Sequence, residues 1–74
     1  MEAKEFIAEI ENLLEVDPGS LTLETQIQTH EKWDSLAFVS FLAIADSTYG
    51  VKVAPEDLRK AATVADLMKL VNKD

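Results

Sequence analysis

The chain has no cysteine, a single histidine, one tryptophan and one tyrosine. Without cysteine there is no disulfide framework and no protein thiol to do chemistry, so any thiol must arrive on a bound group. One histidine and no cysteine leave no transition-metal ligand set, and the acids lack the spacing of a calcium loop. Long apolar runs are also missing: nothing approaches the ~18 consecutive residues of a membrane span. The opening residues Met1-Glu2-Ala3-Lys4-Glu5 are acidic and carry no apolar signal core, so a secretory leader is not expected. Basic residues are scarce, seven Lys and Arg against fourteen Asp and Glu, for a formal net charge of −7. Such a surface repels nucleic acid and anionic membranes and is drawn towards basic partners.

What is present is a short, hydrophobic chain. Its 74 residues make a single domain over residues 1–74, and 47% are hydrophobic, which argues against disorder. A chain of this size buries only about 60% of its unfolded surface, so its core is small.

Phe6, Ile7, Ile10, Leu13 and Leu14 recur at three- and four-residue steps, with Glu5, Glu9, Glu11 and Glu15 on the other face. This predicts an amphipathic helix from about Glu2 to Val16, ended by Asp17-Pro18-Gly19-Ser20. From Leu21 to Trp33 no period persists, which predicts a long loop with Leu21, Leu23 and Ile27 pinned to the core. A second helix is expected from Ser35 to Tyr49, with Gly50 as the residue beyond its end. Val51–Ala54 reads as an extended link. Pro55, Glu56 and Asp57 start a short third helix reaching about Ala61. Thr63 caps a fourth helix, with Asp66 three residues on and Lys69 and Lys73 at its C-terminal end. Together these predict an all-α fold, a small four-helix bundle of three main helices and a short third one, with a long loop between helices 1 and 2.

The most informative stretch is Trp33-Asp34-Ser35-Leu36. A polar loop (Thr29, His30, Glu31, Lys32) ends there and an apolar run begins, so a serine hydroxyl stands at the mouth of a helix just after a carboxylate. Unpaired amides and a partial positive charge at a helix N-terminus suit a phosphate ester on that serine. Asp34 and Ser35 are also good N-cap types, so the tetrapeptide by itself equally describes a plain helix start. A nucleophilic role would need a nearby base and an orienting group. The one histidine, His30, lies in the same loop and no Gly-x-Ser-x-Gly elbow surrounds Ser35.

The Asp-Ser-Leu motif in this setting resembles the attachment site of acyl carrier proteins. The resemblance extends over nearly all 74 residues: the order of helices and loop, the apolar-Thr-apolar pattern of Leu23–Ile27, Tyr49-Gly50-Val51 at the end of the second helix, and Thr63-Val64-Ala65-Asp66-Leu67 at the start of the last. The Trp-Asp-Ser-Leu form looks like that of specialised stand-alone carriers, including D-alanyl and pathway-dedicated ones. The resemblance implies a 4'-phosphopantetheine arm on Ser35, taken from coenzyme A by a phosphopantetheinyl transferase. It implies that Asp34 helps hold Mg²⁺ during that transfer only, with no resident metal, and that Leu36 meets the transferase and partner enzymes. The chain would be a non-catalytic, cytoplasmic monomer. It would be loaded by an acyl- or aminoacyl-ligase and would serve synthase or acyltransferase enzymes of a fatty-acid, lipid or polyketide-type pathway. An aminoacyl or peptidyl load, and an unmodified helical adaptor, are the alternative readings.

In a helix starting at Ser35, 100° steps place Phe38, Leu42, Ala45 and Tyr49 on the core side with Phe41 at its edge. Leu36, Ser40, Ala43 and Ser47 lie opposite, flanked by Val39 and Asp46. Leu36, Val39, Ser40, Ala43 and Asp46 are therefore the expected partner-binding residues. In fatty-acid carriers this face is strongly acidic. Here Asp34 and Asp46 are nearly its only acids, so docking is expected to rest more on shape and apolar contact than on ion pairs. Small Ala45 leaves room for a tethered chain or is filled by Phe38 or Phe41, and Trp33 is expected to anchor the loop ahead of Ser35.

Overall fold

The computed structural model describes residues 2–72, in four helices: α1 (Ala3–Leu14), α2 (Ser35–Tyr49), α3 (Pro55–Lys60) and α4 (Val64–Val71). α1 packs on α2 and α4, and α3 packs on α4. Among the described residues no helix is long and apolar enough to cross a membrane.

Local chemistry sets each helix end. Asp34 caps α2, its carboxylate accepting from the Ala37 amide, and Gly50 closes it at φ 67°. This is a left-handed conformation in which glycine has no steric penalty. α4 starts with a full capping box: Thr63 Oγ1 accepts from the Asp66 amide at 3.3 Å, and Asp66 Oδ2 accepts from the Thr63 amide at 3.2 Å. Lys69 lies in its last turn, whereas Lys73 falls outside the described residues.

α1 stops at Leu14, two residues before the expected Val16. Glu15 turns left-handed at φ 58°, and the amides of Glu15 and Val16 bond back to Asn12 O (3.2 Å) and Glu11 O (3.0 Å). This hydrogen-bonded stop forms upstream of the Pro-Gly breaker. Likewise α3 ends at Lys60, because Ala61 is extended at ψ 124°.

The core is built on Phe6, Ile10, Leu14, Ile27, Phe41, Leu58, Val64 and Leu67, all at most 3% exposed. Phe6 meets Phe41 edge-on at 6.4 Å and Tyr49 at 6.0 Å. Two expectations need correction. The buried stripe of α2 is Ala37, Phe41 and Ala45, while Phe38, Leu42 and Tyr49 are half-buried. Ala37 and Ala45 stand one turn either side of Phe41 on the buried stripe, and Phe38, Leu42 and Tyr49 pack against the core from its flanks. Phe41 is thus a centre of the core rather than its edge. Glu11, expected on the water face of α1, is buried. Its Oε2 accepts the amides of Gly19 at 2.8 Å and Leu21 at 3.1 Å. Burial of this carboxylate is tolerable because it satisfies two donors of the loop that follows.

The long loop is fastened at both ends of its course. Leu21 and Ile27 are buried and Leu23 half-buried. An antiparallel bridge joins Gln26 to Thr63, with the Ile27 amide donating to Ala62 O at 2.8 Å and the Val64 amide to Thr25 O at 3.1 Å. The Gln28 Nε2 donates to Leu58 O (3.1 Å) and Ala61 O (2.7 Å), at the C-terminal end of α3. The loop therefore spans the bundle as a fixed strap and delivers Trp33 and Asp34 to the start of α2.

Candidate functional site

A ladder of backbone bonds leads to the site. Ile27 is held on Ala62, the His30 amide donates to Ile27 O at 3.1 Å, and the Trp33 amide donates to His30 O at 3.0 Å. Trp33 then packs edge-on against Phe38 (6.4 Å) and Phe41 (6.3 Å), which fixes the residue just before the cap. His30 takes part in the same turn: its Nδ1 accepts the Lys32 amide at 3.1 Å. That imidazole is engaged by its own loop.

Asp34 is exposed, with extended backbone at φ −112° and ψ −171°. Its Oδ1 accepts the Ala37 amide at 3.0 Å, and its carbonyl accepts the Phe38 amide, also at 3.0 Å. The amides of Ser35 and Leu36, one and two places beyond the cap, have no carbonyl earlier in the helix to bond to. Ser35 is exposed, with its hydroxyl beside these amides at the positive end of a 15-residue helix. Among the described residues no group of three or more His, Cys, Asp or Glu side chains is placed to hold a metal ion.

The site opens into a groove of about 600 Å³, within the ~300–1,000 Å³ range of small-molecule sites. Trp33, Phe38 and Val39 supply its apolar side, and Gln28 and Arg59 reach it from the loop and from α3. The Arg59 guanidinium carbon lies 5.7 Å from the centre of the Phe38 ring. Among the lining residues Ser35 alone carries a hydroxyl. A second hollow, about 450 Å³, lies across Asp34 between the end of α1 and the first turns of α2, and includes Lys32, Leu36 and Ser40 but not Ser35.

Residues 4–71 match the family model described as a phosphopantetheine attachment site. The chain belongs to the acyl carrier protein family. It is 31% identical over 74 residues to an acyl carrier protein of Rhodococcus erythropolis, covering 95% of this chain and 81% of that protein. It is equally identical, over the same length, to the meromycolate extension acyl carrier proteins of Mycobacterium leprae and Mycobacterium tuberculosis. The chain spans 64% of the length of each of those two. No solved structure matches the chain at a significant level. The carriers of this family bind 4'-phosphopantetheine covalently. The site suits that group: it has an exposed primary hydroxyl, a helix mouth that favours phosphate, and a groove with an apolar side alongside.

The outer face of this carrier's α2 exposes two large apolar side chains. Leu36 is 75% exposed and Val39 60%. Ala43, Asp46 and Ser47 are exposed too. Ser40 differs from them: it is half-buried and faces the hollow beside α1. Reading the sequence missed Arg59, Gln28 and Ala37. Arg59 and Gln28 come to the site through tertiary contacts that no local pattern signals. Ala37 had a signal, since it stands four residues before Phe41 and eight before Ala45, but the larger side chains drew the helical wheel away from it.

Proposed function

We propose that Ser35 Oγ is the attachment point of the phosphopantetheine arm, and that the chain carries acyl intermediates as thioesters on that arm to partner enzymes of lipid assembly. The observation that carries this reading is the exposed Ser35 hydroxyl, beside two unpaired amides within the span that matches the family. In the attachment step Ser35 Oγ forms the new bond to phosphorus at the coenzyme A pyrophosphate. The bond to the adenosine bisphosphate leaving group breaks, and the hydroxyl proton passes to a base of the transferase. Asp34 would be the residue of this chain that helps hold Mg²⁺ during that step, since its carboxylate is exposed beside Ser35 and a hard cation takes oxygen ligands. The chain itself catalyses nothing. Tethering raises the effective concentration of the cargo at a docked enzyme.

Long-chain lipid assembly is the favoured setting, since several relatives are named for meromycolate extension. The docking surface of this reading is Leu36, Val39 and Ala43 with Asp46 at its edge. Its scarcity of acids makes apolar contact the main source of affinity and leaves charge to steer the encounter.

Intact mass spectrometry after incubation with coenzyme A and a broad-specificity transferase tests the attachment. One arm is expected on the wild-type chain and none on Ser35→Ala. A wild-type chain that stays bare overturns the reading and leaves an unmodified helical adaptor. Loading of the holo protein by an aminoacyl-adenylating ligase, with no uptake from acyl-activating ligases, overturns the acyl cargo.

A further inference from the structure

Ser35 stands between two hollows, and the groove on the α3 side includes it while the hollow on the α1 side does not. A cation belongs to each: Arg59 lines the groove with Ser35, and Lys32 lines the hollow without it. Arg59 comes from the last turn of α3, and its guanidinium carbon lies over the face of Phe38. Phe38 stands three residues beyond Ser35, on the same side of α2. A guanidinium held by a ring face uses its charge on the aromatic quadrupole and keeps its N–H edge free. That free edge is suited to the two oxygens of a phosphodiester, which it can meet with parallel hydrogen bonds. The setting calls for such a partner: a phosphodiester on Ser35 adds negative charge beside Asp34 in a chain already at −7.

Resting on the reading of Ser35 as the attachment point, we infer that Arg59 is the residue that receives the arm's phosphodiester. By doing so it directs the first segment of the arm along the Trp33–Phe38–Val39 side of the groove instead of into solvent or towards Lys32. Arg59 is a positioning residue for the bound arm. The arm leaves Ser35 on the α3 side, and its geometry is set by one guanidinium seated on one phenyl ring.

The test uses the holo protein, prepared with coenzyme A and a transferase, with intact mass establishing that the arm is present. The ³¹P resonance of the wild-type holo protein is expected to be displaced from that of a free pantetheine phosphodiester at low salt. The ring protons of Trp33 and Phe38 are expected to shift between the apo and holo forms. In Arg59→Gln both effects fall about threefold, the size fitting a solvent-exposed ion pair. Arg59→Lys restores part of them, because it returns the charge but not the planar fork. Lys32→Gln leaves them as in wild type, and raising the salt on the unaltered protein reproduces the Arg59→Gln result without any substitution. The inference is overturned if loaded Arg59→Gln and wild type give the same resonances, or if Lys32→Gln is the variant that moves them. A wild-type chain that takes up no arm overturns the Ser35 reading, and this inference with it.

Discussion

The indole of Trp33 meets the ring of Phe41 with centroids 6.3 Å apart and planes at 65°. Phe41 is fully buried and Trp33 half-buried, so the contact ties the residue before the cap to the centre of the bundle. Edge-to-face pairs of this kind contribute about 0.5–1.5 kcal/mol beyond the area they bury. Trp33→Ala is expected to lower stability by about 2 kcal/mol, less than for a fully buried ring. A reduced urea midpoint with an unchanged slope would show this, and phosphopantetheine uptake should slow because the cap is less firmly placed. Trp33→Phe should recover most of both losses.

Glu11 makes a second strong prediction. Its carboxylate accepts from Gly19 and Leu21 inside the fold. Glu11→Ala leaves two amides without their acceptor and is expected to cost about 1.5–3 kcal/mol. Glu11→Gln keeps the shape and one acceptor oxygen but not the charge, and should fall between the two in thermal melts. Equal stability of all three proteins would refute the strap role of Glu11.

Glu15 adopts φ 58° without being a glycine. Left-handed backbone costs an L-residue about 1–2 kcal/mol, and glycine loses part of that gain to its freer unfolded state. Glu15→Gly is therefore expected to raise stability by about 0.5 kcal/mol, measured as a higher midpoint in the same urea titration.

Two groups make the stability of the fold depend on pH. The phenol of Tyr49 is held above its ordinary value of 10.0, first by burial and then by the negative charges of Glu9 and Glu5. Below pH 10 both folded and unfolded chains keep the proton. As pH rises past 10 the unfolded chain ionises first, so the stabilisation from Tyr49 is lost as pH climbs through the folded value. Asp66 is held below 3.8, by the amides of Ala62 and Thr63 above all, with Lys69 assisting. Its stabilisation is present above 3.8 and is lost as pH falls through the lower folded value. Tyr49→Phe should flatten the alkaline limb of the stability curve, and Asp66→Asn the acid limb.

Val39 tests the docking face apart from the fold. At 60% exposure, Val39→Arg should leave the unfolding free energy within about 0.5 kcal/mol of wild type. It should nevertheless raise the transferase KM about tenfold with kcat little changed, as loss of a central apolar contact does. An unchanged KM would remove Val39 from the surface.

How much of this was legible in the sequence depended on how local the cause was. α2 runs over Ser35–Tyr49 as expected, because Asp34 and Gly50 mark its ends in the chain itself. The Thr63–Asp66 box is legible for the same reason. For α2 the 100° steps put Ala45 on the buried side, as found, but centred the stripe on Phe38 and Leu42, whereas the structure centres it on Phe41, because which part of an apolar helix is most deeply covered is decided by the elements packed on it. Glu11 could not be recognised as buried, since its partners are supplied by Gly19 and Leu21 after the chain has turned. At the candidate site, Asp34, Ser35 and Leu36 are adjacent in sequence, while Arg59 and Gln28 are brought there by α3 and by the bridge to Thr63.

Gln28 has one last consequence. α3 is six residues long, too short to persist as a helix in water on its own. Its final carbonyls are gripped by an amide from the preceding strap. The panel that bears Arg59 and the ribbon that ends in Trp33 are thus buckled together. A displacement of either one is therefore passed to the other through a single side-chain amide.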